Sequence, residues 1–449
     1  MILYKKDITP VISGKRLWIG ICVLVLIAAS AVEIWYSCEK SSEESALDDG
    51  SRVVFSDEAL WKSLLAVKTD KELGEPYKVY PIDVAYPDGI SYHATLVEYP
   101  FGESPRAVKT ATDSVRVAEG ADSANVVPVV KEEKFPRGIM LYLHGFNDYF
   151  FHKEMAEKAD SAGFAFFAID IHNAGRSLRE GDPRCDMRNI REFFRELDFA
   201  VALSRQVVKE RVEKMAIARM RDSIGDGVPD SLAQQSLLDA VNRALALPYV
   251  LEGHSQGGLI MSLYADSRQG ENFAAVVLNS PFVEMNFNWI MRKAVAPLLS
   301  ELAIYFPDAA LPATGNDNYA KSLHRGDYGE WEYNTEYKTP LRPKQYIGWV
   351  RAIHKGQRKL QKGLHINSPV LVMRSGCSVD EDEWVEDYMR CDGVLDVEHI
   401  GEFAPGLGGN VTLETLEGAL HDVLLSKREV RDDAYGRMFR FVDSVIGRP

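Results

Sequence analysis

Positive charge is in short supply: 52 Lys and Arg stand against 66 Asp and Glu, a net charge of −14 over 449 residues. A chain that tracks nucleic acid or anionic lipid through bulk electrostatics needs a positive surface, so no nucleic-acid partner is expected. Cysteine is sparse as well. The five present, Cys22, Cys38, Cys185, Cys377 and Cys391, form no CxxC pair and no metal-ligand spacing, so zinc is not implied. Cys377 and Cys391 have two open fates, a disulfide if the chain is exported to an oxidising compartment, or two separate thiols. There is no internal repeat, and only one long apolar run.

That run, Leu17 to Val32, follows Lys5, Lys6, Lys15 and Arg16 and is closed by Ile34, Trp35 and Tyr36. A spanning helix needs roughly 20 mostly apolar residues, with a basic flank on the cytoplasmic side. Residues 1–36 therefore read as a signal or membrane anchor. A cleaved signal peptide ending near Ala29, Ser30 and Ala31, or a lipoprotein built on Cys38, are the alternatives. Each places the protein in the cell envelope or outside the cell. Residues 37–59 are polar and acidic, as suits a tether, and a single domain is expected from 60 to 449.

Within that domain YKVYPIDV and SYHATLVEY alternate like two strands, joined through Pro87, Asp88 and Gly89. Residues 101–137 lose periodicity and read as a surface insertion. From residue 138 short apolar runs alternate with helical stretches, the pattern of a mostly parallel sheet with helices on both faces. The runs are IMLYLHG, FAFFAID, PYVLEGH, FAAVVLNSPF, SPVLVMR and VTLETL. Two stretches interrupt the rhythm: 206–247, which reads as a helical insertion, and 283–365, rich in Trp, Tyr and Asn, placed where a cap over a site would be inserted.

Chemistry enters with GHSQG. Gly253, Ser255 and Gly257 fit GxSxG, and the motif lies between the apolar PYVLE and the helix-compatible GLIMSLYADS. That is the strand, turn and helix of a nucleophile elbow. A serine hydroxyl needs a base to take its proton during attack, usually a histidine oriented by a carboxylate. His421, in GALHD just after VTLETL, is best placed. His254 is inside the elbow and should point into the fold, His144 belongs to the loop after IMLYL, and His399 falls in a surface helix. For the acid, Asp392 in CDGVLDVEHI is preferred, Asp380 remains open, and Asp396 suits capping the helix that follows it. The oxyanion formed during acyl transfer needs two donors, assigned to the backbone amides of Phe146 in HGFND and of Gln256.

In combination, LYLHGFND, AIDIHNAGRS, GHSQGG, VVLNSPF, DGVLDVE and GALHD resemble the serine aminopeptidase and monoacylglycerol lipase-like branch of the α/β-hydrolase superfamily, which includes lysophospholipases. The resemblance runs from about residue 138 to the C-terminus. It implies an α/β-hydrolase fold with an inserted cap and a triad of Ser255, His421 and Asp392. It also implies an acyl-enzyme mechanism that uses no cofactor and no metal. The pattern of an acid, a helix-opening residue four positions on and a histidine about thirty beyond is reproduced by Asp392, Asp396 and His421. The stretch from Ser375 to Cys391 departs from it as an insertion ahead of the acid. The substrate expected is a small-molecule or lipid ester of monoacylglycerol or lysophospholipid type. An aminopeptidase or amidase on the same triad, or a binding protein without catalysis, are the other readings.

Overall fold

Nine strands form one sheet in the order β1-β2-β3-β5-β4-β6-β7-β8-β9. They are β1 Lys68–Thr69, β2 Lys78–Ala85, β3 Ser91–Tyr99, β4 Gly138–Leu143, β5 Phe164–Asp170, β6 Tyr249–His254, β7 Ala275–Asn279, β8 Val370–Ser375 and β9 Val411–Leu416. The computed structural model describes residues 53, 55–86, 89–103, 135–225, 230–311 and 315–447. The signal or anchor segment, most of the tether and most of the insertion at 101–137 lie outside these residues. Among the described residues no helix is long and apolar enough to cross a membrane.

β2 and β3 form the expected antiparallel hairpin, with Ile82 opposite Ala94, and β3 pairs antiparallel with β5. From β5 to β9 every pairing is parallel. The central strands are mostly apolar because both faces are covered. In β4, Ile139, Leu141 and Leu143 enter one core and Met140 and Tyr142 the other. β6 and β7 divide in the same way, Leu251 and Leu278 to the first core, Val250 and Val277 to the second. Helices Phe194–Gly225, Gln256–Ser267 and Ile347–Gln361 cover the first face, and Lys153–Ser161 and Arg428–Ile446 the second.

The helical stretch read as an insertion from 206 begins earlier. Helix Phe194–Gly225 follows directly on a 3₁₀ turn, Ile190–Phe193, that a capping box between Asn189 and Glu192 opens. Its first half is core: Leu197, Ala200, Val201 and Val208 are buried on the sheet. Helix Asp230–Leu245 packs along it, and Val212 and Ala216 in the far half of Phe194–Gly225 are buried in the same core with Ala240 and Ala244. At the end of the expected cap, helix Ile347–Gln361 belongs to the body, since a Cβ on Gly356 would be 2.3 Å from the Ile190 side chain.

The chain visits β4 and then β5 on one side and crosses to β6 on the other, so the strand order reverses between β4 and β6. In open α/β sheets a crevice forms at the carboxyl ends of the strands at such a reversal. The β4 loop carrying Phe146 and the β6 turn carrying Ser255 meet there.

Candidate active site

β6 ends at His254 and helix Gln256–Ser267 begins one residue later, so Ser255 has to turn the chain alone. It does so at φ 53° and ψ −117°, a conformation that costs a non-glycine residue about 1–3 kcal/mol. Neighbouring backbone explains the flanking glycines. A Cβ on Gly253 would lie 2.6 Å from the Gly257 carbonyl oxygen, and one on Gly257 would lie 2.4 Å from that of His144. The turn is fixed from the next strand, where the Asn279 carbonyl accepts from the Ser255 amide at 2.9 Å.

His421 and Asp392 come together in the interior. His421 Nδ1 lies 2.8 Å from Asp392 Oδ2, both residues are buried, and the other carboxylate oxygen accepts from the amides of Val394 and Leu395 at 2.8 Å each. A carboxylate held this way fixes the imidazole tautomer and leaves its second nitrogen for proton transfer. The insertion before Asp392 is a closed excursion. Cys377 and Cys391 are disulfide-bonded, the Asp392 amide donates to the Cys377 carbonyl at 2.8 Å, and the Val379 amide donates to the Asp392 carbonyl at 2.8 Å. Asp392 therefore sits almost where the residue following β8 would sit. Asp396 caps helix Val397–Phe403 by accepting from the Glu398 amide. Asp380 lines the cavity but makes no contact with His421 among the described residues.

The loop after β4 runs against the elbow, so close that a Cβ on Gly145 would be 3.2 Å from that of Ser255. Phe146 follows Gly145, and Gln256 is the first residue of its helix, where a backbone N–H has no partner within the helix. Trp349 joins the two: its ring packs on Phe146 with centroids 5.0 Å apart, and its Nε1 donates to Gln256 Oε1 at 3.0 Å. The cap is fastened to the same loop. Lys338 pairs with Asp148 at 2.8 Å, and Asn147 Nδ2 donates to the Thr339 carbonyl at 2.8 Å.

Ser255, His421, Phe146, Trp349 and Asp380 line one cavity of about 290 Å³. Cap residues Met291, Val295 and Leu299, with Phe282 and Met285, supply an apolar wall, and Asn147, Asn316, Thr339 and Arg342 supply polar groups. No Ser255–His421 hydrogen bond is present among the described residues, and such contacts commonly tighten only when substrate binds. His254 is buried as expected, and burial pulls its imidazole down to about 4, so it is neutral at pH 7. No group of three or more His, Cys, Asp or Glu is arranged to hold a metal among the described residues.

Trp349, Asn279, Asp422 and the Lys338–Asp148 pair were not singled out by sequence. Asp422 had the one usable signal, its place beside His421 at the start of a short helical turn, where it accepts from the Leu424 amide.

Strand order, elbow and crossover now stand beside known proteins. A family model described as serine aminopeptidase, S33, matches residues 220–428, a span that holds Ser255, Asp392 and His421. A highly thermostable carboxyl esterase from Bacillus coagulans, solved with glycerol, superposes with a TM-score of 0.50 at 15% identity over 82% of this chain and 99% of that one. This chain has the α/β-hydrolase fold. A soluble variant of monoglyceride lipase from Saccharomyces cerevisiae, in complex with a substrate analog, gives a TM-score of 0.46 at 15% identity over 78% of this chain and 91% of that one. A monoacylglycerol lipase from Paleococcus ferrophilus gives 0.44 at 15% identity over 69% and 96%. No curated protein sequence matches the chain. Within that fold, the family model's likeness is to the serine aminopeptidases.

Proposed function

We propose that this α/β hydrolase is a serine hydrolase of carboxylic esters, acting on lipid-like acyl esters of the monoacylglycerol or lysophospholipid type. The observation that carries the reading is the buried His421–Asp392 pair, 2.8 Å apart, on the same cavity as a serine held at φ 53°. Ser255 Oγ attacks the ester carbonyl while His421 takes its proton, and Asp392 stabilises the imidazolium that forms. The oxyanion is met by the amides of Phe146 and Gln256, each worth about 3–4 kcal/mol in sites of this kind. His421 then returns the proton to the departing alcohol. Water, activated by the same histidine, attacks the acyl-enzyme, and the acid leaves as Ser255 recovers its proton.

The apolar wall of Met291, Val295 and Leu299 supports an acyl chain as the group bound there. One observation favours a second reading, an aminopeptidase or amidase, because Asp380 on the cavity could hold a substrate ammonium. We further propose that the domain works in the cell envelope, attached by or released from its N-terminal segment. The Cys377–Cys391 disulfide supports this, since such bonds persist in oxidising compartments.

A fluorophosphonate probe tests the nucleophile: the wild type labels and Ser255→Ala does not. Equal labelling of the two removes Ser255 from the role. Monoacylglycerol, lysophospholipid, a short nitrophenyl ester and an aminoacyl amide then separate the two readings, with turnover of the amide alone rejecting the ester reading.

A further inference from the structure

Two cations line the cavity, and they differ. Lys338 is buried and already neutralised by Asp148 at 2.8 Å. Arg342 makes no hydrogen bond or ion pair with the described residues. Its side chain is exposed on the cavity yet surrounded by protein, so burial pulls its pKa below the ordinary arginine value, against an opposing pull from Asp380. The guanidinium faces the cavity with no hydrogen-bond or ion-pair partner among the described residues, so its N–H donors are open to an anion that enters, with Asp380 on the same lining as the carboxylate acting on it.

Arg342 is also anchored relative to the reacting centre. Three residues before it, Thr339 Oγ1 donates to Asn147 Oδ1 at 3.0 Å while Asn147 Nδ2 donates to the Thr339 carbonyl at 2.8 Å. Asn147 directly follows Phe146. The backbone that carries Arg342 is thus clamped to the loop proposed to bind the oxyanion. The apolar wall from Met291 to Leu299 accounts for one part of an amphiphilic substrate, and Arg342 belongs to the polar part of the lining.

We infer that Arg342 is an anion-binding subsite of this cavity, and that the preferred substrates are acyl esters whose non-acyl portion carries a phosphate or carboxylate. This rests on the ester-hydrolase reading for the word ester, while the anion site stands on its own geometry. The planar guanidinium fork matches both anions with two parallel N–H···O bonds, which a neutral glycerol cannot use equally. It also discriminates where overall charge does not, because a chain with a net charge of −14 offers an anion no long-range attraction.

The test measures binding apart from turnover. Dodecyl phosphate, laurate and neutral dodecyl glycerol ether are titrated calorimetrically into the full chain, the Arg342→Gln variant and the Arg342→Lys variant. In the wild type at least one of the two anions should bind about tenfold or more tighter than the neutral ether, as expected of a charge-assisted contact. Arg342→Gln should bring that ratio close to one, and Arg342→Lys, which keeps the charge but loses the fork, should fall between the two. Which anion gains shows whether phosphate, carboxylate or both are recognised. Neutral-ether binding reports whether the variants still form the cavity. The inference falls if the wild type binds the ether as tightly as both anions, or if Arg342→Gln keeps the wild-type ratio. Turnover of matched lysophosphatidate and monoacylglycerol completes the separation. If neither ester is cleaved while the ratio depends on Arg342, the ester reading fails and the anion site remains.

Discussion

Asn279, the last residue of β7, donates from its side-chain amide to the Asp422 carboxylate at 2.7 Å, next to His421. Its side-chain oxygen accepts from the Val423 amide at 3.1 Å, and its backbone carbonyl accepts from the Ser255 amide at 2.9 Å. One residue therefore sets the position of the turn carrying Ser255, the proposed nucleophile, and of the loop carrying His421, the proposed base. Asn279→Ala leaves the Val423 amide unpaired and Asp422 short of a donor, at a cost of about 1–3 kcal/mol for a buried group. Thermal unfolding should show that loss. Turnover should fall by about tenfold or more with KM little changed, because Ser255 and His421 are displaced relative to each other. Asn279→Asp, which sets a second carboxylate against Asp422, should be worse on both measures. Wild-type kcat in Asn279→Ala would remove the positioning role.

The acid can be assigned by contrast. Asp392→Asn preserves shape but disturbs the tautomer of His421, and kcat should fall by about 10³–10⁴-fold. Asp380→Asn, at a residue with no contact to His421, should cost less than about tenfold. Steady-state kinetics on one nitrophenyl ester decides. Comparable losses in the two variants would put the assignment of Asp392 in doubt.

The disulfide closes the excursion that ends at Asp392, with Cys377 and Cys391 separated by 14 positions. A loop near that length contributes about 3 kcal/mol when crosslinked. The double variant Cys377→Ser/Cys391→Ser should unfold at a lower temperature and lose activity, because Cys391 is covalently next to Asp392, the proposed acid. A dithiol reductant should do the same to the wild type and nothing further to the variant. Unchanged activity in the double variant would show that the two backbone bonds between Cys377, Val379 and Asp392 hold the acid unaided.

Strand identity was legible because β4, β6, β7 and β8 are short apolar runs bounded by turn residues, and a sheet covered on both faces demands that composition. Ser255 was legible because a tight elbow demands glycine on either side. Pairing of His421 with Asp392 was legible as an order of residues, which favoured Asp392 but left the choice over Asp380 open. That choice depends on the disulfide and the bridge returning the chain to the end of β8, contacts that carry no local pattern. Asn279 and Trp349 were hidden for a related reason. Their roles come from bonds to Asp422, 143 positions away, and to Gln256, 93 positions away, and an asparagine ending a strand or a tryptophan in an amphipathic helix looks ordinary by itself. The start of helix Phe194–Gly225 was misplaced because its buried residues, from Leu197 to Ala216, run without a break across the point where the insertion was expected to begin.

Glu252 lies in β6, three residues before Ser255, fully buried, and neither carboxylate oxygen has a hydrogen-bond partner. Burial, with a smaller push from Asp422, raises its pKa from 4.5 to about 8, so the folded protein keeps Glu252 protonated at neutral pH. The unfolded chain releases that proton above its ordinary value near 4.5. Between about pH 4.5 and about pH 8 the folded state thus binds the extra proton, and stability from this residue is full at the acid end and declines as pH rises. His254, pulled down to about 4, acts in the opposite sense: its contribution is full above about 6.5 and is lost as pH falls toward 4. A melting curve against pH mixes the two, so Glu252→Gln is the informative variant, since it keeps the shape, removes the titration and leaves His254 in place. The wild type should lose melting temperature relative to Glu252→Gln from pH 5 to pH 8, by an amount on the order of a few kcal/mol in stability at 1.36 kcal/mol for each unit. Parallel melting curves for the two proteins across that range would mean that Glu252 is ionised in the fold and that an unseen partner, such as a buried water, pairs with its carboxylate.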